Sequence, residues 1–187
     1  MSVSAQVRAP QLADLSAQIG AGTKISPQFL IGIANQHFGG TMAAGTYTTA
    51  DAYDLAEQAL NRLILERRVM LAPTVGLVSA QVRVSDLEAM GALLPTRTRR
   101  DDEVQAFDQF STPPALGFAA AWLADMKPGD VVLEPSAGVG GLAVHARNAG
   151  ASVVCNELSE RRATLLEGLG FAPIFRENAD HLHSVLP

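Results

Sequence analysis

The run Val131-Val-Leu-Glu-Pro-Ser-Ala-Gly-Val-Gly-Gly-Leu-Ala143 concentrates the residues of this sequence that could do chemistry. An apolar, β-branched stretch enters a loop bearing Gly138, Gly140 and Gly141, and a helix is expected to start there. A strand that feeds a glycine loop at a helix start leaves backbone N–H groups available and lets a ligand approach the main chain closely. This predicts a nucleotide-like cofactor. Gly138, Gly140 and Ala143 formally satisfy the dinucleotide fingerprint, so charge must separate the alternatives. In that fingerprint a pyrophosphate lies against the loop, where the carboxylate of Glu134 at the strand end would repel it. A ligand with cationic ammonium and sulfonium centres would be attracted by the same carboxylate, which points to S-adenosylmethionine rather than NAD.

Two further acids fall at suggestive places. The second expected strand ends in Asn156 and Glu157, where a carboxylate can accept hydrogen bonds from both hydroxyls of a ribose. After the third, Asn178-Ala-Asp180 can present Asp180 to an adenine amino group. Each feature alone is weak, and their joint spacing is stronger. His145 and Arg147 on the helix after the loop read as structural, as do Trp122 and Cys155. His181 and His183 suit one helix face poorly as metal ligands. Four scattered histidines and one cysteine offer no zinc-type cluster and no internal disulfide. No metal is expected.

Strands and helices must hold these groups in place. Val131–Glu134 reads as a buried strand, Gly141–Asn148 as a helix, Ser152–Asn156 as a second strand, Ser159–Leu169 as a helix capped by Ser159, and Phe171–Phe175 as a third strand. Thr112 is expected to cap a helix opened by Pro113 and Pro114. Strands separated by short helices mean right-handed crossovers and a parallel sheet, the first half of a doubly wound, Rossmann-like α/β fold. Upstream the pattern is mainly helical: Gln11–Ile19, Pro27–His37 and Ala50–Arg68. In the last, Ala52, Leu55, Ala56, Ala59, Leu60, Leu63 and Ile64 recur on one helix face, with Thr48 and Asp51 as a capping box. Val75–Val84 has the β-branched content of a strand or hairpin. The polar run Thr96–Phe107 separates a helical region, 1–100, from an α/β domain, 107–187. Its cluster Arg97, Arg99 and Arg100 reads as a solvated linker, with a phosphate contact as the alternative.

Residues 107–187 resemble the start of a class I S-adenosylmethionine-dependent methyltransferase, closest to the adenine-N6 type acting on nucleic acid. Asp108-Gln-Phe-Ser-Thr-Pro-Pro-Ala-Leu116 is similar to the signature that precedes the cofactor loop in that group. The resemblance implies that Phe110, Thr112 and Pro113 wrap the methionine part of the cofactor. It also implies that Glu134, Pro135, Ser136, Ala137, Gly138 and Gly140 form the cofactor loop, that Glu157 meets the ribose, and that Asn178 and Asp180 lie near the adenine. The segment is also similar to the methyltransferase-like part ahead of strawberry-notch-type helicases in phage and plasmid proteins, which implies an anti-restriction setting and DNA as partner of the complete protein. The family's catalytic Asn or Asp, Pro, Pro, aromatic motif is not found. The one Pro-Pro, Pro113-Pro114, is followed by Ala115, so no catalytic residue is assigned. In the doubly wound order the strand Val131–Glu134 would lack a neighbour, and a second copy, the chain's own N-terminal half or a partner domain of the complete protein is expected to cover that edge.

Composition sets the outer limits. Of 187 residues, 48% are hydrophobic and 18% charged, which fits a folded chain and not a disordered one. No apolar run reaches the roughly 18 to 20 residues of a membrane span, and the start lacks a signal-peptide pattern, so a cytoplasmic protein without membrane contact is expected. The formal net charge of -5 argues against holding nucleic acid by bulk charge alone. A non-catalytic methyltransferase-like module that binds a protein partner is the second reading.

Overall fold

A computed structural model describes residues 9–96 and 111–184. They form two compact units. Of the described residues, the first takes those up to Leu63 with Ala89–Thr96, and the second takes Ile64–Glu88 with Ser111–Ser184. The residues just after Leu63 thus pack with the α/β part, although the composition change falls at Thr96–Phe107. That polar run, with Arg97, Arg99 and Arg100, lies beyond Thr96 and outside the described residues.

The first unit is helical. It holds α1 (Ala9–Gly20), α2 (Pro27–Phe38), a short 3-10 turn at Met42–Ala44 and most of α3 (Thr49–Glu66). The Ser26 hydroxyl caps α2 by accepting from Phe29 N–H at 3.1 Å, and Gly39, at φ 71, ends it in the left-handed conformation. The capping box at α3 is formed. Thr48 N–H donates to the Asp51 carboxylate at 2.7 Å, and Asp51 N–H donates back to the Thr48 hydroxyl at 3.2 Å. All seven stripe residues of α3, from Ala52 to Ile64, are buried. The Ser16 hydroxyl donates to the Ala59 carbonyl at 2.8 Å, tying α1 to α3 inside this core.

The second unit contains α4 (Arg68–Leu71), most of α5 (Leu77–Gly91), α6 (Pro114–Leu123), β1 (Val131–Glu134), α7 (Ala143–Asn148), β2 (Ser152–Asn156), α8 (Glu160–Gly168), β3 (Ile174–Phe175) and a closing 3-10 segment (Ala179–Ser184). Its sheet is parallel, in the order β1-β2-β3, with Val131 opposite Ser152 and Asn156 opposite Phe175. This is an α/β sheet joined by helical crossovers. β1 is an edge strand among the described residues, and Val131 and Leu133 are 75% and 42% exposed. The expected buried strand is therefore open on one side.

Four local expectations change. The strand or hairpin expected over Val75–Val84 is largely helix, in α5. Ala80, Leu87 and Met90 bury at helical spacing while Leu77, Val78 and Val82 stay exposed, so the side chains obey a 3.6-residue period that overrides β-branched content. Thr112 does not cap α6; Pro113 holds that place without a side-chain cap, and Pro114 opens the helix. Ser159 sits at the start of α8 without a side-chain cap bond. The third strand shortens to Ile174–Phe175, since Pro173 has no N–H to give a ladder.

Phe118, Phe171, Leu166 and Val144 centre the core of the second unit. α6 and α7 approach so closely that a Cβ on Gly117 would lie 2.5 Å from the Gly141 carbonyl oxygen and 2.8 Å from His145 Cδ2. A Cβ on Gly141 would lie 3.1 Å from the Thr112 carbonyl oxygen. Only glycine fits at the first of these contacts. We expect Gly117→Ala to destabilise the chain by about 1–3 kcal/mol. Gly32→Ala, in the exposed interior of α2 where an added Cβ meets nothing within 4 Å, should instead stabilise by about 0.5–1 kcal/mol. Urea denaturation of the two variants against the parent checks the opposite signs.

Candidate functional site

The loop Pro135–Leu142 leaves β1 at the carboxyl edge of the sheet, where ligands of open α/β folds bind. Gly138 and Gly140 take φ values of 56 and 94, a region that side chains with a Cβ rarely adopt. A Cβ on Gly140 would also come within 3.2 Å of Leu166 Cδ2 on α8. These glycines let the loop turn sharply and still pack on the helix beneath it.

Four of its N–H groups are already taken within the protein. Ser136 N–H donates to Glu134 Oε1 at 3.3 Å, and Ala137 N–H to the Asn156 carbonyl at 2.9 Å. Gly138 N–H donates to Glu157 Oε2 at 2.7 Å, and Gly140 N–H to the Ala137 carbonyl at 2.8 Å. Two of these four acceptors are carboxylates. The expectation of a wholly free N–H cradle is thereby narrowed, and a phosphate placed here would meet two carboxylates.

Glu157 is 8% exposed. Besides Gly138 it accepts from Ser159 N–H through Oε1 at 2.8 Å. A carboxylate has about four acceptor sites, so each oxygen keeps capacity for a further donor such as a ribose hydroxyl. Glu134 is half-buried at the end of β1. Burial raises its carboxyl above the ordinary carboxylate value, and the Ser136 N–H pulls weakly the other way. A poorly solvated carboxylate of this kind is stabilised by a nearby cation.

Asn156 organises the rim. Fully buried, its amide donates to the Pro135 carbonyl at 2.9 Å and to the Glu177 carbonyl at 2.8 Å, and its Oδ1 accepts from Glu177 N–H at 2.9 Å. This brings the segment after β3 beside the glycine loop. There Asn178 Oδ1 accepts from Asp180 N–H at 3.0 Å, and both side chains are exposed. Asn178 thus turns the chain into the closing 3-10 segment while Asp180 is left at the surface. Thr112 and Pro113 lie at the other end of the loop, with the Thr112 carbonyl against Gly141. Phe110 falls outside the described residues. Among the described sites, Glu134, Pro135, Ser136, Ala137, Gly138, Gly140 and Glu157 meet at one loop.

Sequence reading passed over three residues here. Asn156 reads in sequence as a strand end, although a polar residue closing an apolar strand beside an acid is a signal for a loop staple. Arg162, 3% exposed, brings Nη1 to 3.6 Å from where a Cβ on Gly138 would project. Gly117 gave no signal, because its neighbours come from a distant part of the chain. Arg147 is structural, as expected: its guanidinium stacks 3.5 Å from the Phe171 ring centroid and donates to the Leu169 and Gly170 carbonyls.

No known protein family, no curated protein and no solved structure matches this chain. Among the described residues no helix is long and apolar enough to cross a membrane.

Two outcomes follow from these bonds. Asn156→Ala removes three side-chain hydrogen bonds to the backbone of Pro135 and Glu177 and should cost about 2 kcal/mol, with loss of amide-exchange protection at Glu177. Glu134 has the opposite character. Because its folded-state value is raised, its favourable contribution is present below the ordinary carboxylate value and is lost as pH rises through the folded one. Glu134→Gln should therefore gain stability over the parent as pH goes from about 4 to 7, read by urea denaturation at both ends.

Proposed function

We propose that the chain is the S-adenosylmethionine-binding part of a class I methyltransferase, one that transfers methyl to an amino group, foremost adenine N6 in DNA. The observation that carries this reading is the pair of carboxylates, Glu134 and Glu157, converging on a glycine loop and accepting from two of its N–H groups. That arrangement favours a cationic ligand over a pyrophosphate. The three-stranded parallel sheet is then the first half of a Rossmann-like, doubly wound sheet.

In this reading Glu134 and the loop from Gly138 to Gly141 face the methionine end of the cofactor, and its ammonium relieves the poorly solvated Glu134. Thr112 and Pro113 close over that end. The free acceptor capacity of Glu157 takes the ribose hydroxyls, and Asp180 takes the adenine amino group. S-adenosylmethionine supplies the methyl group when bound; these residues bind and orient it. No residue of this chain is assigned the transfer step, since Pro113-Pro114 is followed by Ala115 rather than an aromatic residue. Nucleic-acid recognition, a cytoplasmic location and an anti-restriction setting belong to the same proposal. With a formal net charge of -5, contact with DNA phosphates would come from other parts of the complete protein. The open edge of β1 is where a partner domain or a second copy would extend the sheet.

A second reading has support of its own. Both Glu157 oxygens already hold backbone N–H groups, as they would in a methyltransferase-like module kept for protein binding. Calorimetric titration separates the two. The full chain should bind S-adenosylmethionine saturably and NAD not at all. Glu134→Gln should weaken S-adenosylmethionine about tenfold, a loss of about 1.4 kcal/mol, and Glu157→Ala should abolish binding while circular dichroism reports a folded chain. A folded parent that binds nothing would sink the cofactor reading and leave the module.

A further inference from the structure

His145 is the most enclosed polar side chain of the second unit, at 0% exposure, and neither of its ring nitrogens has a hydrogen-bond partner. The ring meets Phe118 edge-on, with centroids 6.0 Å apart and an interplanar angle of 86°. Its Cδ2 and Nε2 lie 2.8 and 3.3 Å from where a Cβ on Gly117 would project. The imidazole is therefore wedged into the junction of α6 and α7, where the Gly117 contact admits no added atom. Leaving two polar nitrogens unpartnered in such a place is costly. An apolar ring would do the packing alone.

The surroundings offer nothing to compensate a positive charge. α6 carries no titratable side chain, and neither does the loop Pro135–Leu142. β2 carries only Cys155, whose thiol burial pushes up to about 11 and so leaves neutral. α4 carries only Arg68, which is exposed. On α7 itself Arg147 is turned to Phe171 and to the Leu169 and Gly170 carbonyls. α3 also reaches α7, the Ile64 carbonyl accepting from the Asn148 amide at 3.0 Å, and the one carboxylate it brings into this unit, Glu66, is exposed. None of the other elements named here carries a carboxylate. An imidazolium formed here would be a buried, unpaired cation, which the fold can accommodate only by opening to water.

We propose that His145 is a proton-operated release for the α6–α7 junction, so that protonation frees α6 and its Thr112–Pro113 lead-in from the glycine-loop helix. Burial holds the imidazole down to about 4, against a weak opposing pull from the Pro114 carbonyl, which lies close without meeting hydrogen-bond geometry. The sign follows. A depressed folded-state value means that the neutral ring's contribution is whole above the ordinary histidine value of about 6.5 and is lost as pH falls from there toward about 4. Glu134, raised by burial, works the other way and gains on acidification. The device is independent of which ligand the loop binds.

The chain carries its own reporter. Trp122, the single tryptophan, lies on α6 and donates its indole N–H to the Val75 carbonyl at 2.7 Å. Acidifying the full chain from pH 7 to about 4 should produce a reversible change in its emission. In His145→Phe, which keeps a ring of similar size and removes the titrating nitrogens, the change should be absent or displaced by at least about one pH unit, and Tm at pH 5 should rise. A flat parent profile over this range, or the same transition in both proteins, would overturn the proposal. Should the variant fail to fold by circular dichroism, proton NMR of the parent decides. An imidazole signal that titrates below about pH 5 in step with the emission bears the proposal out. Ordinary titration of all four histidines near 6.5 overturns it.

Discussion

At the end of β2 two neighbouring side chains hold what regular secondary structure leaves loose. Loops that leave the carboxyl edge of a parallel sheet have no ladder to pair their N–H and C=O groups, and buried groups of this kind must find partners. Asn156 answers with its amide, reaching Pro135 on one side and both backbone groups of Glu177 on the other. Glu157 answers with its carboxylate, fixing Gly138 and Ser159. Three separate stretches of chain are brought to one place by these two residues, and the candidate site exists only while they hold.

The same bonds decide the character of the site. A glycine loop is usually an anion cradle because its N–H groups are free. Here Ser136 and Gly138 give theirs to carboxylates. Part of the positive partial charge that would have faced a phosphate is spent inside the protein, and the two acids leave a negative local field. Glu134, half-buried and short of solvent, is the part of that field most open to relief by a ligand cation. A structural bond and an electrostatic preference are thus one feature.

Behind the loop the constraint is steric. α6 rests on α7 because Gly117 has no side chain, and the imidazole of His145 fills the remaining space without a hydrogen bond. Such a junction has two arrangements, closed with a neutral ring or open with a charged one, and little between. It also positions Thr112 and Pro113 against Gly141. A rim held by hydrogen bonds and a back wall held by packing therefore meet at the same loop, and the open edge of β1 lies on the sheet that carries both.

Much of the frame was readable from local pattern. β1 and β2 fall at the residues expected from short apolar runs bounded by turn residues, and α3 was marked by its seven-residue stripe and capping box, all of which depend on neighbours within a turn or two. Glu134, the glycines and Glu157 were found because strand ends and glycine loops are local events. What sequence pattern missed was decided by partners far along the chain. α5 reads as β-branched, yet burial of Ala80, Leu87 and Met90 makes it a helix. The residues that follow Leu63 join the α/β unit although the composition changes elsewhere. The loop's N–H groups looked available until the Glu157 carboxylate, from the next strand, took one of them. Residue type and spacing determined which groups could meet, because those are properties of a chain segment. Tertiary structure alone decided which hydrogen bonds were left over for a ligand and which imidazole was sealed from water, because both are set by the groups that arrive from other segments.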